Sequence, residues 1–450
     1  MTQFWCEQAW LGATDGSVVQ GVLVSVTGDR ITSVTTGVAV LPADAIALRG
    51  LTLPGMANAH SHAFHRGMRG RTQRSTGSFW SWREQMYSLA GRLDPDSYRQ
   101  LATATFAEMA LAGFTAVGEF HYLHHDQSGH RYTDPNAMGA ALIDAAHTVG
   151  LRLTLLDTCY LRGGVDDTGR NIALNDVQRR FSDGDIAAWQ SRVEQLDDDD
   201  TTRIAAAAHS VRAVDPQSLA DLAKWATGRG VPLHVHVSEQ PAENDQCRAA
   251  YGCTPVELLH SCGALTDLTT AVHATHLSPG DITLMAGARA MCCMCPTTER
   301  DLADGIGPTA AFRSHHIAMC IGSDSHAVID PFEETRAIEL DERLGSSVRG
   351  THQPAELMRA ATADGYRSLG WRDGGRIEQG CLADFTTVSF DSPRLAGSAA
   401  TDALAAVLFA GSAPDVRNVV VGGRTIIADG RHVALDTVDL LRTSIAAVWS

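Results

Sequence analysis

Lysine is almost absent from this sequence: among its 450 residues, only Lys224 is a lysine. Arginine therefore carries nearly all the positive charge. In total, 36 Lys and Arg residues stand against 52 Asp and Glu residues, which gives a formal net charge of −16 at pH 7. A protein with this charge and no basic stretch is not expected to bind nucleic acid. A small anionic substrate remains compatible, because a pocket can be locally positive on an acidic protein.

Long apolar runs are also missing. No apolar stretch approaches the roughly 20 residues that cross a bilayer, and the N-terminus lacks the basic and apolar segments of a signal peptide. We therefore expect a cytoplasmic protein without a membrane partner. Ten cysteines fit that compartment as reduced, mostly buried thiols. The run CCMC at residues 292–295 is interpreted as strand packing, because neighbouring strand residues point to opposite faces.

Apolar, strand-like runs alternate with amphipathic helical stretches through the middle of the chain. Eight strands are predicted, at residues 51–59, 114–120, 151–159, 203–209, 231–237, 269–274, 288–295 and 316–322. Helices are predicted between them, among others at residues 96–112, 216–229 and 354–369. This pattern predicts an α/β protein with a (β/α)8 TIM-like barrel over residues 51–374, whose chemistry lies at the C-terminal ends of the strands.

The two ends of the chain carry a different pattern. Residues 1–50 and 375–450 contain short β-rich runs separated by glycine turns. We expect these two segments to combine into one small composite β-sandwich domain beside the barrel.

Polar side chains stand at the ends of four predicted strands. They are His60 and His62 on the first strand, His236 and Glu239 on the fifth, His273 on the sixth and Asp324 on the eighth. Residues i and i+2 of an extended segment project to the same side, so His60 and His62 can bind one ion together. Three neutral imidazoles and a carboxylate suit Zn²⁺ and leave a position for water. The predicted metal ligands are His60, His62, His236 and Asp324.

Two further strands offer more than one histidine. His234 and His236 share a face of the fifth strand. His236 lies nearer to Glu239 at the barrel mouth and is predicted to be the ligand, whereas His234 is predicted to be a buried core histidine. On the sixth strand, His273 lies on the strand itself and is predicted to be the catalytic base, whereas His276 opens the following loop.

The ordered set of these residues resembles the amidohydrolase superfamily, and within it the branch of deaminases and chlorohydrolases with one metal ion. The matching features are PGM at residues 54–56 before the histidine pair, HxxE on the fifth strand, the histidine on the sixth and the aspartate on the eighth. The resemblance covers nearly the whole chain and implies the composite β-sandwich. Barrel hydrolases with two bridged ions commonly use a strand-borne lysine, whereas Lys224 lies in a predicted helix. One divalent ion per chain, Zn²⁺, is therefore expected.

Four further segments resemble the formimidoylglutamate deiminases. They are FWSWREQMY at residues 79–87, EFHYLHH at 119–125, HSVRAV at 209–214 and CPTTE at 295–299. This resemblance implies hydrolysis of N-formimino-L-glutamate to N-formyl-L-glutamate and ammonia in histidine degradation, carried out by a homodimer. The sequence departs from the family at two places. His65 stands where the family often has Gln, and Arg300 with Asp301 replaces a more usual Ala-Asn pair.

The resemblance and the chemistry of the substrate together assign roles. Asp324 and His273 would take the proton from the attacking water, and Glu239 would carry a proton to the departing nitrogen. A glutamate-like substrate brings two carboxylates, and an arginine can bind a carboxylate through paired hydrogen bonds. The predicted substrate contacts are His65, Arg83, Tyr122, His209 and Arg212.

Three other functions are considered. The first is deamination of a guanine-like or cytosine-like ring, or of a guanidino acid; Arg83 and Arg212 argue against a neutral ring. The second is a binding or scaffold protein that has lost catalysis, which is disfavoured because ligands, acid and base are all present. The third is metal storage or sensing, which is disfavoured because the predicted ligands leave room for water beside Glu239 and His273.

Overall fold

The computed structural model describes residues 1–73 and 79–450. Its strands are, in chain order, β1 (Thr2–Ala9), β2 (Val19–Thr27), β3 (Arg30–Thr35), β4 (Ile46–Pro54), β5 (Met56–Ser61), β6 (Phe114–His121), β7 (Arg152–Cys159), β8 (Gly164–Val165), β9 (Asn171–Ile172), β10 (Thr202–Ser210), β11 (Leu233–Val237), β12 (Thr269–His273), β13 (Met291–Met294), β14 (Met319–Ile321), β15 (Phe385–Val388), β16 (Val416–Val421), β17 (Arg424–Ala428) and β18 (Arg431–His432).

The α-helices are, in chain order, α1 (Phe79–Ala90), α2 (Pro95–Ala112), α3 (Ala137–Val149), α4 (Ile186–Val193), α5 (Pro216–Arg229), α6 (Pro241–Tyr251), α7 (Pro255–Ser261), α8 (Pro279–Ala288), α9 (Pro296–Asp301), α10 (Thr309–Ser314), α11 (Pro331–Ser346), α12 (Pro354–Ala361), α13 (Ala363–Ser368), α14 (Ala403–Ala410) and α15 (Thr437–Trp449). Short 3₁₀ helices lie at Ala63–Met68, Gln178–Phe181, Ala400–Asp402 and Ala413–Asp415.

Eight parallel strands form the predicted barrel. Their order in the sheet is β5, β6, β7, β10, β11, β12, β13 and β14. A parallel bridge between Ser61 and Asp324 joins the end of β5 to the segment after β14, and the backbone N–H of Asp324 donates to the carbonyl of His60 at 3.0 Å. The (β/α)8 architecture is confirmed. Its closing contact lies between the two strand ends that carry the histidine pair and the aspartate.

The two chain ends combine into a separate sheet, as predicted. Its eight strands run in the order β18, β17, β16, β15, β4, β1, β2 and β3. The sheet has a hydrophobic core of its own, in which the rings of Phe4 and Phe385 meet edge to face with centroids 5.1 Å apart. The parallel pairing of β1 with β4 and the antiparallel pairing of β4 with β15 bring both chain ends into this one sheet.

The predicted first barrel strand, residues 51–59, is two strands in the structure. Its first half belongs to β4 in the sheet of the chain ends, and its second half to β5 in the barrel. Gly55 separates them and donates its N–H to the carbonyl of Asp384 at 2.8 Å. A Cβ at Gly55 would lie only 2.6 Å from Thr115 Oγ1 and 2.7 Å from the Tyr366 hydroxyl. The chain therefore passes from one sheet to the other where no larger residue fits.

Local signals explain why the predicted helix at residues 216–229 has the bounds of α5. The Asp215 side chain accepts hydrogen bonds from the N–H groups of Gln217 and Ser218, both at 3.1 Å. Pro216 occupies the first helical position, and Gly230 ends the helix with a φ of 67°. Such capping and proline signals are local and can be recognised from sequence.

Other predicted elements also differ from the structure in their bounds, among them the eighth barrel strand, which is predicted at residues 316–322 and is only Met319–Ile321. The predicted helix at residues 354–369 is divided into α12 and α13 at Thr362, whose φ is −112° and ψ −101°. The predicted strand at residues 288–295 is shortened to β13, because Ala288 still belongs to α8 and Arg289 ends that helix with a φ of 58°.

The last part of the chain also extends beyond the sheet to which residues 375–450 were assigned. Helix α14 packs on α11 and α12, and α15 packs on α2 of the barrel. Trp449 at the end of α15 donates its indole N–H to the carbonyl of Gly67 at 2.8 Å. The C-terminal helix therefore contacts the 3₁₀ helix that follows the histidine pair.

The ten cysteines are all free thiols. Cys292, Cys293 and Cys295 are buried in β13 or directly after it, and burial raises the pKa of each thiol well above its usual value. No group of potential metal ligands in the described part of the chain includes a cysteine. Within residues 1–73 and 79–450, no helix is long and apolar enough to cross a membrane.

A buried ion pair joins the sheet of the chain ends to the barrel. Arg152, at the start of β7, donates to Asp384 through Nε at 2.7 Å and Nη2 at 3.2 Å. The same carboxylate accepts from the Tyr366 hydroxyl at 2.8 Å and from the N–H of Gly422 at 2.7 Å. Arg152 and Asp384 are each only 1% exposed. Both charged groups are therefore shielded from water, and each serves as the counter-charge of the other.

We expect Asp384→Asn to destabilise the protein by about 3–5 kcal/mol, because it removes the buried counter-charge of the Arg152 guanidinium. The free energy of unfolding in urea measures this effect. Asp29→Asn is the matched control. Asp29 also faces Arg152, but at 3.9 Å and with a side chain 45% exposed, so its loss should cost less than about 1 kcal/mol. Equal effects of the two substitutions would contradict the role assigned to the buried pair.

Candidate functional site

The predicted site residues meet at the C-terminal ends of the barrel strands. His60 Nε2 lies 3.3 Å from Oδ1 of Asp324, and His62 Nε2 lies 3.4 Å from the same oxygen. His236 Nε2 lies 3.1 Å from His60 Nε2. All four side chains are at most 7% exposed. His60 and His62 therefore face the same oxygen of Asp324, and His236 joins them through its contact with His60.

Backbone carbonyls fix the orientation of two of these imidazoles. His62 Nδ1 lies 3.0 Å from the carbonyl of Phe120, and His236 Nδ1 lies 2.8 Å from the carbonyl of His209. A carbonyl can only accept, so each Nδ1 carries the proton and donates. Each Nε2 then keeps its lone pair, which is the arrangement of metal-ligating histidines.

The protonation states also suit a cation. Burial lowers the pKa of His60, His62 and His236, so that these imidazoles are neutral near pH 7. Burial alone would raise the pKa of Asp324, but the hydrogen bond with His60 and the interactions with His60, His273 and His62 hold it well below its usual value. Three neutral nitrogen donors and one carboxylate fit a divalent ion such as Zn²⁺.

The two oxygens of Asp324 face different partners. Oδ1 faces His60 and His62, whereas Oδ2 lies 3.8 Å from Nε2 of His273. One atom each of His60, His236, His273 and Asp324 lies within 4.8 Å of the others. His273 thus belongs to the same cluster as three of the predicted ligands, whereas the fourth, His62, groups with His65 and Asp324. The contact of His273 with Asp324 is on the oxygen that faces away from the histidine pair.

The neighbouring histidine on the fifth barrel strand points elsewhere. His234 lies two residues before His236 and is fully buried. Its Nε2 is 2.9 Å from the carbonyl of Ser368, at the end of α13. His234 is therefore hydrogen-bonded below the site and is not part of the ligand cluster. The loop histidine His276 likewise binds a backbone carbonyl, that of Asp304, at 2.7 Å.

Glu239 and His273 lie side by side at the mouth. Glu239 Oε1 is 3.8 Å from His273 Nε2, and His273 Nδ1 is 3.4 Å from Glu299 Oε1. Burial raises the pKa of Glu239 to about 7. Burial would lower the pKa of His273, but Glu239 and Glu299 raise it to about 10. Glu239 can therefore both accept and donate a proton near neutral pH.

Three strand ends at the site have strained backbones. Ser238, His273 and Asp324 have φ values of 50°, 66° and 42°. Non-glycine residues in this left-handed region cost about 1–3 kcal/mol each and cluster at functional sites. They lie at the end of β12, one residue after β11 and three residues after β14, so the strain coincides with the residues that form the mouth.

The predicted substrate contacts surround one cavity above this cluster. Its lining includes His65, Arg83, Tyr122, His209 and Arg212 together with Glu239, His273 and Asp324. His65 Nε2 is 3.0 Å from the Tyr122 hydroxyl, and burial lowers the pKa of His65 to about 3. Arg83 lies on α1, with its guanidinium 5.7 Å from the ring of Tyr87. The cavity thus places two guanidinium groups in the same enclosure as the acid and base candidates.

Two glutamates at the site were not assigned from the sequence. Glu119, at the end of β6, accepts from Ser61 Oγ at 2.5 Å and from the N–H of Ala63 at 2.6 Å, and so holds the loop of the histidine pair. Glu299 accepts from the N–H of Cys295 at 2.9 Å as well as contacting His273. Both stand in segments that carried the family resemblance, and this was the one sequence signal that could have pointed to them.

Comparison with known proteins gives matches over most of the chain. The model of the amidohydrolase family matches residues 51–426. A formimidoylglutamate deiminase of Pseudomonas aeruginosa is 37% identical over 398 residues, which cover 86% of each chain. A 5-methylthioadenosine/S-adenosylhomocysteine deaminase of Natronomonas pharaonis is 29% identical over 391 residues, covering 86% of this chain and 83% of that protein.

A solved structure shares the whole fold. An amidohydrolase from Brucella melitensis superposes with a TM-score of 0.89 at 32% sequence identity, and the match covers 100% of both chains. The barrel and the sheet of the chain ends therefore occur together in a related protein.

Proposed function

The chain belongs to the amidohydrolase family and is a hydrolase that acts on carbon–nitrogen bonds, and we propose that it hydrolyses N-formimino-L-glutamate to N-formyl-L-glutamate and ammonia in histidine degradation. The observation that carries this proposal is the cavity in which Arg83 and Arg212 face the same enclosed space as Glu239. The two carboxylates of the substrate need arginines, and its amidine-like carbon needs a group such as Glu239 that can transfer a proton. The relative that is 37% identical supports the same choice of substrate.

We propose that His60, His62, His236 and Asp324 hold one divalent ion per chain, Zn²⁺. The support is the short distances between their side chains, their burial and their neutral imidazoles. Such an ion lowers the pKa of a water molecule to about 7 and so supplies a nucleophile at neutral pH. The absence of a lysine from every barrel strand supports a single ion, because Lys224 lies on the exposed side of α5 beside Asp221.

The side chains around the cavity account for the proton transfers. As water adds to the formimino carbon, its proton passes to Asp324, with His273 placed 3.8 Å away to share it when its imidazole is neutral. A divalent cation bound beside His273 would favour the neutral form of its imidazole. Glu239 then delivers a proton to the nitrogen, the carbon–nitrogen bond breaks, and ammonia leaves. The second nitrogen stays with the glutamate as the formyl amide.

The remaining contacts would bind the glutamate part of the substrate. Arg212 and Arg83 are assigned to the two carboxylates, since a guanidinium can donate two parallel hydrogen bonds to each. Tyr122 and His209 would donate further hydrogen bonds, and His65, held by the Tyr122 hydroxyl, would orient that hydroxyl. Burial keeps His65 uncharged, so it adds no positive charge for a third anionic group.

A ring deaminase is the second candidate. Aromatic side chains, among them Trp82, Tyr160 and Phe181, line the same cavity, and the relative that is 29% identical is named for an adenosine-type substrate. A guanidino acid is a further possible substrate, because its charged end resembles a formimino group.

Ammonia release from a small panel tests the proposal. The panel contains N-formimino-L-glutamate, N-formimino-L-aspartate, a guanidino acid, guanine, cytosine and 5-methylthioadenosine. We expect N-formimino-L-glutamate to give the highest kcat/KM, with the ring compounds at least about 10³-fold lower, because they bring no carboxylate to the two arginines that line the cavity. Preferred turnover of a ring compound would reject the proposal in favour of the second candidate.

A further inference from the structure

One buried carboxylate beside the cavity has no part in the chemistry proposed above. Glu243 lies in the first turn of α6, four residues after Glu239, and is 2% exposed. It does not line the cavity and is not among the potential metal ligands of the described residues. A buried glutamate normally needs a partner for its charge, so its contacts show what it does.

Glu243 faces both Arg212 and the backbone of Glu239. Its Oε2 lies 3.9 Å from Nε of Arg212 and 3.4 Å from the N–H of Glu239. Among the described residues, nothing forms a hydrogen bond with Oε1 of Glu243 or with Nε of Arg212, although both atoms are buried. A small movement would join the two groups and satisfy both.

The backbone of Arg212 is already fixed by another side chain. Arg162 donates to the carbonyl of Arg212 at 2.9 Å and to those of Val211 at 2.8 Å and Val214 at 3.3 Å. These bonds hold the backbone of the turn after β10, but none of them holds the side chain of Arg212. Within the described residues, the only carboxylate less than 4.0 Å from its guanidinium is that of Glu243.

We propose that Glu243 is a positioning residue that holds Nε of Arg212, so that its two Nη groups face a carboxylate of the substrate. An arginine held through Nε presents its other two nitrogens as a flat fork, which matches a carboxylate. Holding the side chain in advance also reduces the entropy lost when the ligand binds. The inference rests on the proposed function, because Arg212 is taken to bind a substrate carboxylate.

Two simpler roles would leave different signatures. As the third residue of α6, Glu243 could serve only to accept N–H groups at the helix start. It could also serve only to reduce the positive charge of Arg212, in which case its removal would strengthen the binding of an anion. A positioning role predicts weaker binding of the anion and partial rescue by a neutral side chain that still accepts a hydrogen bond.

The experiment measures the Kd of N-formyl-L-glutamate by calorimetry for the metal-loaded wild type, four variants of Glu243 and Arg212, and one control variant. Glu243→Met removes charge and acceptor, Glu243→Gln removes only the charge, and Arg212→Met removes the proposed contact; the fourth variant combines Arg212→Met with Glu243→Met. We expect Glu243→Met to weaken binding about tenfold and Glu243→Gln to stay within about threefold of wild type, because its amide oxygen can still accept from Nε.

Additivity shows whether Glu243 acts through Arg212. Arg212→Met alone should weaken binding by about 100-fold, and the double variant should be no weaker than that single variant within about twofold. Glu257→Met is the matched control: Glu257 is also the third residue of its helix, α7, and accepts the N–H of Thr254 at 2.8 Å. It is exposed, so its loss should leave the Kd unchanged within about twofold.

Several outcomes would overturn the proposal. Tighter binding by both Glu243 variants would indicate charge balance, and an unchanged Kd with a lowered Tm would indicate helix capping alone. A strictly additive double variant would mean that Glu243 acts elsewhere. Failure of the proposed function gives a separate result: the wild type would bind N-formyl-L-glutamate yet release no ammonia from N-formimino-L-glutamate. If the wild type does not bind this dicarboxylate at all, both proposals fall.

Discussion

Replacing Glu239 by glutamine is expected to lower kcat for N-formimino-L-glutamate by about 10²–10⁴-fold, with the bound metal unchanged. Glutamine keeps the size and most hydrogen bonds of the side chain but cannot carry a proton to the departing nitrogen. Burial raises the pKa of Glu239 to about 7, so the carboxyl can take up and release a proton at neutral pH. Steady-state ammonia release and the metal content per chain measure the two parts of the prediction.

Glu257→Gln provides the control for this substitution. It makes the same chemical change on an exposed helix start, and kcat should stay within about twofold of wild type. Because Glu239 is not a predicted ligand, a loss of metal in Glu239→Gln would mean that its role is structural. Turnover near the wild-type rate would remove Glu239 from the proton pathway.

The fold could be predicted where local signals agree with the tertiary structure. Helix α5 was predicted with its exact bounds because Asp215, Pro216 and Gly230 mark its ends. The junction between the two sheets could not be predicted. Residues 51–59 form one continuous apolar run, and their division at Gly55 depends on close contacts with Thr115 and Tyr366, which are distant in sequence.

The candidate site could likewise be predicted only in part. The strand ends that carry His60, His62, His236 and Asp324 meet because parallel barrel strands present their C-terminal ends on one face. The groups that orient the imidazoles are the backbone carbonyls of Phe120 and His209. Every residue type has a backbone carbonyl, so the sequence could not predict these contacts. Glu243 was missed for a related reason: its partner, Arg212, lies on another strand end.

The second large effect is expected from His236→Gln, which should weaken metal binding and lower turnover by more than about 100-fold. His236 Nε2 lies 3.1 Å from His60 Nε2, and its Nδ1 is held by the carbonyl of His209. Glutamine cannot place a comparable nitrogen lone pair there. Metal analysis after dialysis against a weak chelator, together with ammonia release at saturating substrate, measures both losses.

His234→Gln is the matched control, because His234 lies on the same strand as His236, two residues before it. Its Nε2 binds the carbonyl of Ser368 below the site at 2.9 Å, and a glutamine amide can make the same hydrogen bond. We expect this variant to keep one ion per chain and nearly normal turnover. If His234→Gln lost the ion while His236→Gln kept it, the choice between the two histidines would be wrong. Two tightly held ions per chain in the wild type would instead refute the single-ion site. They would also refute the argument that this barrel binds one ion because its only lysine, Lys224, lies on a helix.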